Sequence, residues 1–524
     1  MIFRSPYPDF EIPKVPLTPF VLKHASRLAG KVALIEGSTG RKITYQELEA
    51  GINRTAAGLA KRGFTKGNVL GILSPNVPEF AIAFHAVALL GGVVTPINPL
   101  YTAHEVALQL NDAGARMLIT IPAFMEKARE ALRTAPNVEE LFVFGEAEGA
   151  TPFSSLLQSD GVVPEVSIDP YEDVVVLPYS SGTTGLPKGV MLTHHNLVAN
   201  LKQMEGLDYF FESDTLICVL PLFHIYGLVV ILNMGLHTGA TIVTLPRFEL
   251  EDFLQAVRDY QVTLAHLVPP VILALSKSPV VDQYQFPKLK TIFSGAAPLG
   301  EELTQACMQR LNCNIRQGYG MTETSPVTHS SPASPEQTKS GSIGVPAPNT
   351  ECKIVDLESG VALGPQQQGE LCVRGPQVMK GYLNRPEATE QTIDKEGWLH
   401  TGDIGYADAD GHFFIVDRAK ELIKYKGFQV PPAELEAILL THPAITDAAV
   451  IPCPDDEAGE VPKAVVVLRG QAEASEILDF VANQVAPHKK IRLIEFVDRI
   501  PKSASGKILR RLLVEQDRAK TRAS

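Results

Sequence analysis

The residues of this chain best equipped for chemistry stand together in Tyr179-Ser180-Ser181-Gly182-Thr183-Thr184-Gly185-Leu186-Pro187-Lys188-Gly189. Hydroxyls at Ser180, Ser181, Thr183 and Thr184, with bare backbone at Gly182, Gly185 and Gly189, can offer many donors to phosphate oxygens, and Lys188 adds a point charge. Such a loop suits a polyphosphate. It is not the P-loop pattern, because Pro187 precedes Lys188 and Gly189 stands where Ser or Thr would hold magnesium. Alone, a Gly/Ser/Thr-rich stretch is more often an ordinary surface connection. A second candidate is Pro221-Leu222-Phe223-His224-Ile225-Tyr226-Gly227, although a lone His in apolar company is more often a satisfied core residue.

These residues need elements to hold them. The apolar run Val174 to Leu177 predicts a strand and Met191 to Leu201 the start of a helix, so the loop is expected between a strand and a helix, where α/β proteins place phosphates. Upstream, Lys42 to Tyr45 reads as strand, Gln46 to Arg62 as helix, Val69 to Leu73 as strand, Val77 to Leu90 as helix and Val93 to Ile97 as strand. Alternation resumes with strands at Leu216 to Leu220 and Thr241 to Leu245 and helices at Leu228 to Thr238 and Leu250 to Tyr260. Two doubly wound layers of mostly parallel sheet follow. The first of those later strands puts His224 and Tyr226 at a C-terminal sheet edge, where open α/β sheets bind ligands. From about Gly341 short strands with Gly and Pro turns suggest a small antiparallel β-barrel. After Asp417 come a Lys-rich segment, a helix entered through Pro431-Pro432, two strands and a helix from Ser475, a compact α+β unit. The expected division is residues 1–417 and 418–524.

Composition narrows the classes. The 524 residues are 45% hydrophobic, enough for large cores, and the formal net charge of −12 argues against a nucleic-acid or anionic-membrane surface. Six cysteines without a CxxC pair suit a reducing compartment and no structural zinc. The Pro-rich Met1 to Pro19 lacks the blocks of a signal peptide and Thr521-Arg522-Ala523-Ser524 is not a peroxisomal tripeptide, so a cytoplasmic location is the default expectation. Phe80 to Ile97 is apolar but broken by His85, Gly91-Gly92 and Pro96, which reads as buried helix and strand and not as a membrane span.

The phosphate-type loop and the His224 segment resemble two signatures of the adenylate-forming superfamily, which includes acyl-CoA synthetases, peptide-synthetase adenylation domains and firefly luciferase. The second is in the form found in plant 4-coumarate-CoA ligases and their relatives. Similarity continues in the family's order from about Lys42 to Arg511. The resemblance implies ATP, magnesium and coenzyme A, and a small carboxylic acid as substrate. It places His224 near the acyl carboxylate and Tyr226 in the acyl pocket. Ser294 to Gly300, with Ala296, would line the adenine and acyl side. In Gln317-Gly318-Tyr319-Gly320-Met321-Thr322-Glu323 it implies an aromatic ring over adenine at Tyr319, a hydroxyl to the α-phosphate at Thr322 and a magnesium ligand at Glu323, and a hard oxygen donor suits that ion. Asp403 and Arg418 would bond the ribose hydroxyls, Arg247 would contact coenzyme A, and Lys420 would be a hinge. Lys507 would reach the site during adenylation. The Lys424-Tyr425-Lys426-Gly427-Phe428-Gln429 face would lie near the thiol channel afterwards, so one hinged C-terminal domain presents two faces in turn.

The implied chemistry is attack of a carboxylate on the α-phosphorus of ATP, release of pyrophosphate, and capture of the acyl-adenylate by the coenzyme A thiol, an acid-thiol ligase reaction. The motif forms favour an aryl-propenoic or a medium-chain fatty acid, while Ser325-Pro326-Val327-Thr328-His329-Ser330 departs from the more apolar stretch of plant coumarate ligases. The same scaffold also carries luciferase-like monooxygenases and adenylating enzymes independent of coenzyme A, but Ile225 stands where firefly enzymes have a second His. Monomer and homodimer are both compatible with the chain.

Overall fold

The computed structural model describes residues 1–180, 187–207, 209–426, 428–455, 457–503 and 506–523. Ser181, Gly182, Thr183, Thr184 and Gly427 therefore lie outside the described residues, as does the side chain of Gln429.

Two nine-stranded sheets make the large body among these residues. In the first, strands Val69–Leu73, Val93–Ile97, Ala115–Thr120 and Glu140–Val143 run parallel, and Lys188–Thr193 closes antiparallel on Val174–Val176. The second is parallel through Val32–Glu36, Thr241–Thr244, Thr215–Cys218, Leu264–Leu267, Thr291–Ser294 and Asn314–Gly320, then turns antiparallel at Val327–Ser330. Apolar runs without alternation suit strands covered on both faces, as at Val69–Leu73, buried throughout. Between the sheets lies helix Pro78–Leu89, whose Phe80 and Phe84 are fully buried in one core with Leu197 and Leu228. The α/β class and its two doubly wound layers are as expected.

A five-stranded antiparallel sheet stands where a small barrel was expected, and it recruits Phe3–Arg4 from the N-terminus as its edge. Its last two strands, Leu399–Ala407 and Phe413–Arg418, pair so that Asp403 faces Arg418. The chain then turns at the exposed Lys420 into a second five-stranded sheet with its own core of Ile423, Leu435, Val450 and Ile477.

One local expectation is corrected. Met191 belongs to strand Lys188–Thr193, and the helix begins only at His194, so the Ser/Thr/Gly loop joins the antiparallel strands Tyr179–Ser180 and Lys188–Thr193 and not a strand to a helix. The start signal was available. Thr193 accepts the Asn196 N–H while the Asn196 side chain accepts the Thr193 N–H, a reciprocal cap that fixes the helix start.

Candidate active site

The nucleotide end is built from the facing pair Asp403 and Arg418. Arg418 Nε lies 3.0 Å from Asp403 Oδ1, and the Tyr319 hydroxyl donates to Oδ2 at 2.5 Å. Asp403 is 4% exposed, yet both oxygens are engaged by donors, which offsets the cost of burying the charge. Strand Asn314–Gly320 aims Tyr319 across to the five-stranded sheet, and its Gly320 cannot be replaced, because a Cβ there would sit 1.9 Å from the Pro326 carbonyl oxygen. Gln317 and Gly318 lie on the same strand. Gln317 Nε2 reaches the Leu299 carbonyl at 3.4 Å, and Gly318 pairs with Ser330.

Beside this lies an anion-seeking corner. Glu323, in the short turn Thr322–Thr324, is buried and accepts the Tyr382 hydroxyl at 2.9 Å. Lys188 Nζ sits 4.8 Å from the Tyr382 ring centre, a cation over an aromatic face. Tyr382 reaches this place because strand Gly381–Tyr382 pairs with Lys188–Thr193, and because Asn196 donates to the Pro376 and Val378 carbonyls just upstream. Sequence reasoning missed Tyr382; an aromatic after Gly381 in a turn-rich stretch carries no signal without its strand partner. Ser180 opposes Lys188 across the hairpin.

The acyl end holds His224 and Tyr226. His224 Nδ1 accepts the Tyr226 backbone N–H at 3.2 Å, so the neutral ring carries its proton on Nε2, and burial holds its pKa down to about 4. Tyr226 begins a π-helical segment, Tyr226–Asn233, continuous with Met234–Thr238, two residues earlier than the predicted helix. Its hydroxyl pairs with His266 Nδ1 at 3.2 Å, and its ring fills the space over Gly295, where a Cβ would meet Tyr226 Cε1 at 2.7 Å. Ala296 follows with φ at 71°, a left-handed backbone unusual for a residue with a side chain.

Lys507 closes the site from the C-terminal unit. Burial and the neighbouring Arg418 charge push its ammonium below the usual lysine range, against the pull of Glu421 and Asp403. Its loop presses on the large body, since a Cβ at Gly506 would lie 3.1 Å from Val268. The structure thus brings Lys507, Asp403, Arg418 and Tyr319 together, with Glu323 and Lys188 converging on Tyr382.

Other expected residues stand apart. Lys426 is ion-paired with Glu457 of its own unit and Lys424 is exposed, its backbone N–H bonded to Glu460 at 2.8 Å. Arg247 is 78% exposed and meets Glu249 at 3.4 Å. The divergent stretch at 325–330 spends His329 on contacts with Tyr319 and Phe413, joining the second sheet to the five-stranded one.

A further group, Glu370, Cys372 and His400, clusters on neighbouring strands. His400 lies 2.8 Å from Glu370 and 3.8 Å from Asp394 on its other nitrogen, and hydrogen bonds to Cys372 and Glu370 raise its pKa to about 10.

The AMP-binding enzyme family matches residues 21–383 and the AMP-binding enzyme C-terminal domain matches 434–507. The chain is 47% identical over 523 residues to 4-coumarate--CoA ligase 2 of Petroselinum crispum, covering 98% of this chain and 96% of that one. It superposes with a TM-score of 0.90 on the anthranilate CoA ligase AuaEII in complex with anthranoyl-AMP, at 27% identity and 98% and 99% coverage. With o-succinylbenzoate CoA synthetase from Bacillus subtilis, bound to its acyl-adenylate intermediate, the TM-score is 0.82 at 31% identity, covering 96% and 98%. Among the described residues no helix is long and apolar enough to cross a membrane.

Proposed function

We propose, from the premise that this chain belongs to the AMP-binding enzyme family, that it is an ATP-dependent carboxylic acid-CoA ligase of the acyl-adenylate type whose substrate is an aryl-propenoic acid. The observation that carries the reading is the packing of the Lys507 loop on the large body, where a Cβ at Gly506 would lie 3.1 Å from Val268, which brings Lys507 near enough for the charges of Arg418 and Asp403 to act on its ammonium. The aryl-propenoic assignment draws on the full-length relatives named as 4-coumarate-CoA ligases, with medium-chain fatty acids as the second class to test.

In this reading ATP lies with its ribose hydroxyls on Asp403, its adenine beside Tyr319 and its phosphates toward Lys188 and the Ser180 to Thr184 loop, with Gln317, Gly318 and Ala296 shaping the wall. Thr322 faces the α-phosphate, an uncharged hydroxyl that adds no repulsion. The buried Glu323 has its Oε1 bonded to Tyr382, and a hard carboxylate oxygen of this kind fits magnesium, which when bound would neutralise phosphate charge. Neutral His224 offers Nε2–H to one oxygen of the substrate carboxylate. Being uncharged, it orients the nucleophile without the strong pairing that would blunt it. The other oxygen attacks the α-phosphorus, pyrophosphate leaves, and Lys507 and Lys188 stabilise the charge that builds there, a preorganised electrostatic role worth several kcal/mol (about 3–4 per donor).

Thioester formation follows when the coenzyme A thiol attacks the acyl carbonyl and AMP departs. For this step we assign the Lys424–Gln429 face and Arg247 to the coenzyme A side, reached after the unit beyond Lys420 turns at that residue while Arg418 stays on the body's sheet. A cytoplasmic location is part of the same proposal, since ATP and coenzyme A are drawn from that pool. The test is a panel of cinnamic, benzoic and straight-chain fatty acids assayed for pyrophosphate release and for AMP formation with and without coenzyme A. Turnover greatest with cinnamic-type acids and dependent on coenzyme A is expected; pyrophosphate release indifferent to any added acid would overturn the reading.

A further inference from the structure

One helix of the C-terminal unit takes polar partners from the large body at both ends, and its N-terminal end has no side-chain cap of its own. Helix Pro432–Thr441 is preceded by Pro431, which has no side-chain oxygen to accept a hydrogen bond, and opens on Pro432, which has no N–H. The first free amide is that of Ala433. It donates to Asp417 Oδ2 at 2.9 Å, and Asp417 belongs to strand Phe413–Arg418 of the large body's sheet, on the far side of Lys420. Asp417 is 6% exposed and its other oxygen accepts the Arg418 N–H at 2.7 Å.

The opposite end repeats the arrangement with reversed charge. The Leu440 carbonyl, in the last turn, accepts from Lys277 Nζ at 2.9 Å, and Lys277 is the final residue of helix Pro269–Lys277 in the large body. Between the two points a Cβ on Gly300 would lie 3.9 Å from Ala437 Cβ, so the middle of the helix also comes near the body. A carboxylate sits at the positive end of the helix dipole and an ammonium at the negative end. Both are supplied from outside the unit that owns the helix.

The helix in turn positions the reacting lysine. Glu436, at its centre, receives Arg510, and Arg510 also donates to Glu421 at 2.9 Å and to the Val450 carbonyl. Arg510 lies three residues beyond Lys507, at the start of helix Arg510–Ala523. A continuous chain of hydrogen bonds therefore runs from the body through Asp417 and Lys277 to the lid helix, and through Glu436 to the segment bearing Lys507.

We propose that Asp417 and Lys277 form a two-point latch, positioning residues that bond the first free amide and the Leu440 carbonyl of helix Pro432–Thr441 and so fix the orientation in which Lys507 meets the nucleotide. The latch rests on the adenylation reading above only for its effect on rate; its effect on docking stands apart from that reading. Any orientation that presents the Lys426 face instead must release both bonds. Asp417 and Lys277 therefore favour the first half-reaction and oppose entry into the second.

The experiment uses the full chain with Lys277→Met, which keeps the stem and removes the donor, and Asp417→Ala, with Lys277→Arg as the conservative control. Two half-reactions are measured, pyrophosphate release with ATP and acid, and thioester formation from supplied acyl-adenylate. In parallel, hydrogen exchange is followed over residues 432–441 without ligands. Each variant should slow pyrophosphate release roughly tenfold, the scale of one charge-assisted hydrogen bond, leave thioester formation equal or faster, and speed exchange in the lid helix, while Lys277→Arg stays near the parent. Equal loss in both half-reactions, or unchanged exchange in Lys277→Met, would overturn the latch. Faster exchange in the variants, with a parent chain that releases no pyrophosphate with any acid, would leave the latch standing and remove the ligase reading instead.

Discussion

The wall of the site contributed by the large body and the wall contributed by the C-terminal unit are built on opposite principles. In the body, Tyr319, Asp403 and Arg418 project from strands, and Tyr319 and Arg418 bond to the buried Asp403 before any ligand arrives. In the C-terminal unit, Lys507 sits in a loop whose place depends on a helix capped from outside, and Lys426 sits at a turn with a surface ion pair. Strand register costs nothing further at the moment of reaction, so it suits groups that must always be ready. A loop on a docked helix can be withdrawn, which suits a group needed in only one half of a reaction.

The contrast breaks most sharply at Lys507. Lys507→Ala should slow pyrophosphate release by roughly a hundred- to a thousandfold, as for loss of a preorganised transition-state donor, while thioester formation from supplied acyl-adenylate is unchanged. Comparable loss in both steps would remove the division of labour. Next, Glu323→Gln removes a preformed charge from the body and should cost roughly a hundredfold in pyrophosphate release, with a higher magnesium concentration needed for half-maximal rate. If the magnesium requirement is unaltered, Glu323 is a structural partner of Tyr382 alone. Tyr319→Phe deletes one hydrogen bond to a buried carboxylate and should raise KM for ATP roughly tenfold with kcat little changed. A fall in kcat at constant KM would place Tyr319 in the chemistry and not in binding.

The pH dependence sharpens the comparison from the other side. Lys507 in the free enzyme has a depressed pKa, because burial and Arg418 disfavour its ammonium. Since the protonated form is the useful one, kcat/KM for ATP should decline on the alkaline side at a pH below the ordinary lysine value, and Lys507→Ala should flatten that limb. His224, held to about 4, stays neutral throughout the range and should add no limb between pH 6 and 8. The smallest effect belongs to Lys426→Ala, which should change pyrophosphate release by less than about twofold, because its exposed partner Glu457 gives it little hold on the first step. A larger loss there would mean that both faces of the C-terminal unit act at once.

Much of the site was legible because its residues come in contiguous segments with distinctive composition. Glycine at Gly320, proline at Pro221 and the acidic and hydroxyl residues of Thr322-Glu323 mark turns at strand ends, and strand ends are where α/β sheets collect ligands. Illegible were the partners that meet across the chain. Tyr382 comes to Glu323 through a two-residue strand on another segment, and the hairpin that bears Lys188 reads locally as the beginning of a helix because Met191 to Leu201 is helix-compatible throughout. Pairing with Val174–Val176 overrode that local preference.

The amino-acid sequence by itself determined the order of elements and the buried character of both sheets, because periodicity and turn chemistry act over a few neighbouring residues. Only the tertiary structure decided which face of the C-terminal unit looks inward and what holds it there. That choice turns on Asp417 meeting Ala433 and Lys277 meeting Leu440, contacts 16 and 163 residues apart along the chain. Their worth comes from two polar groups of one helix that find partners outside its own unit, the Ala433 amide behind two prolines and the Leu440 carbonyl of the last turn.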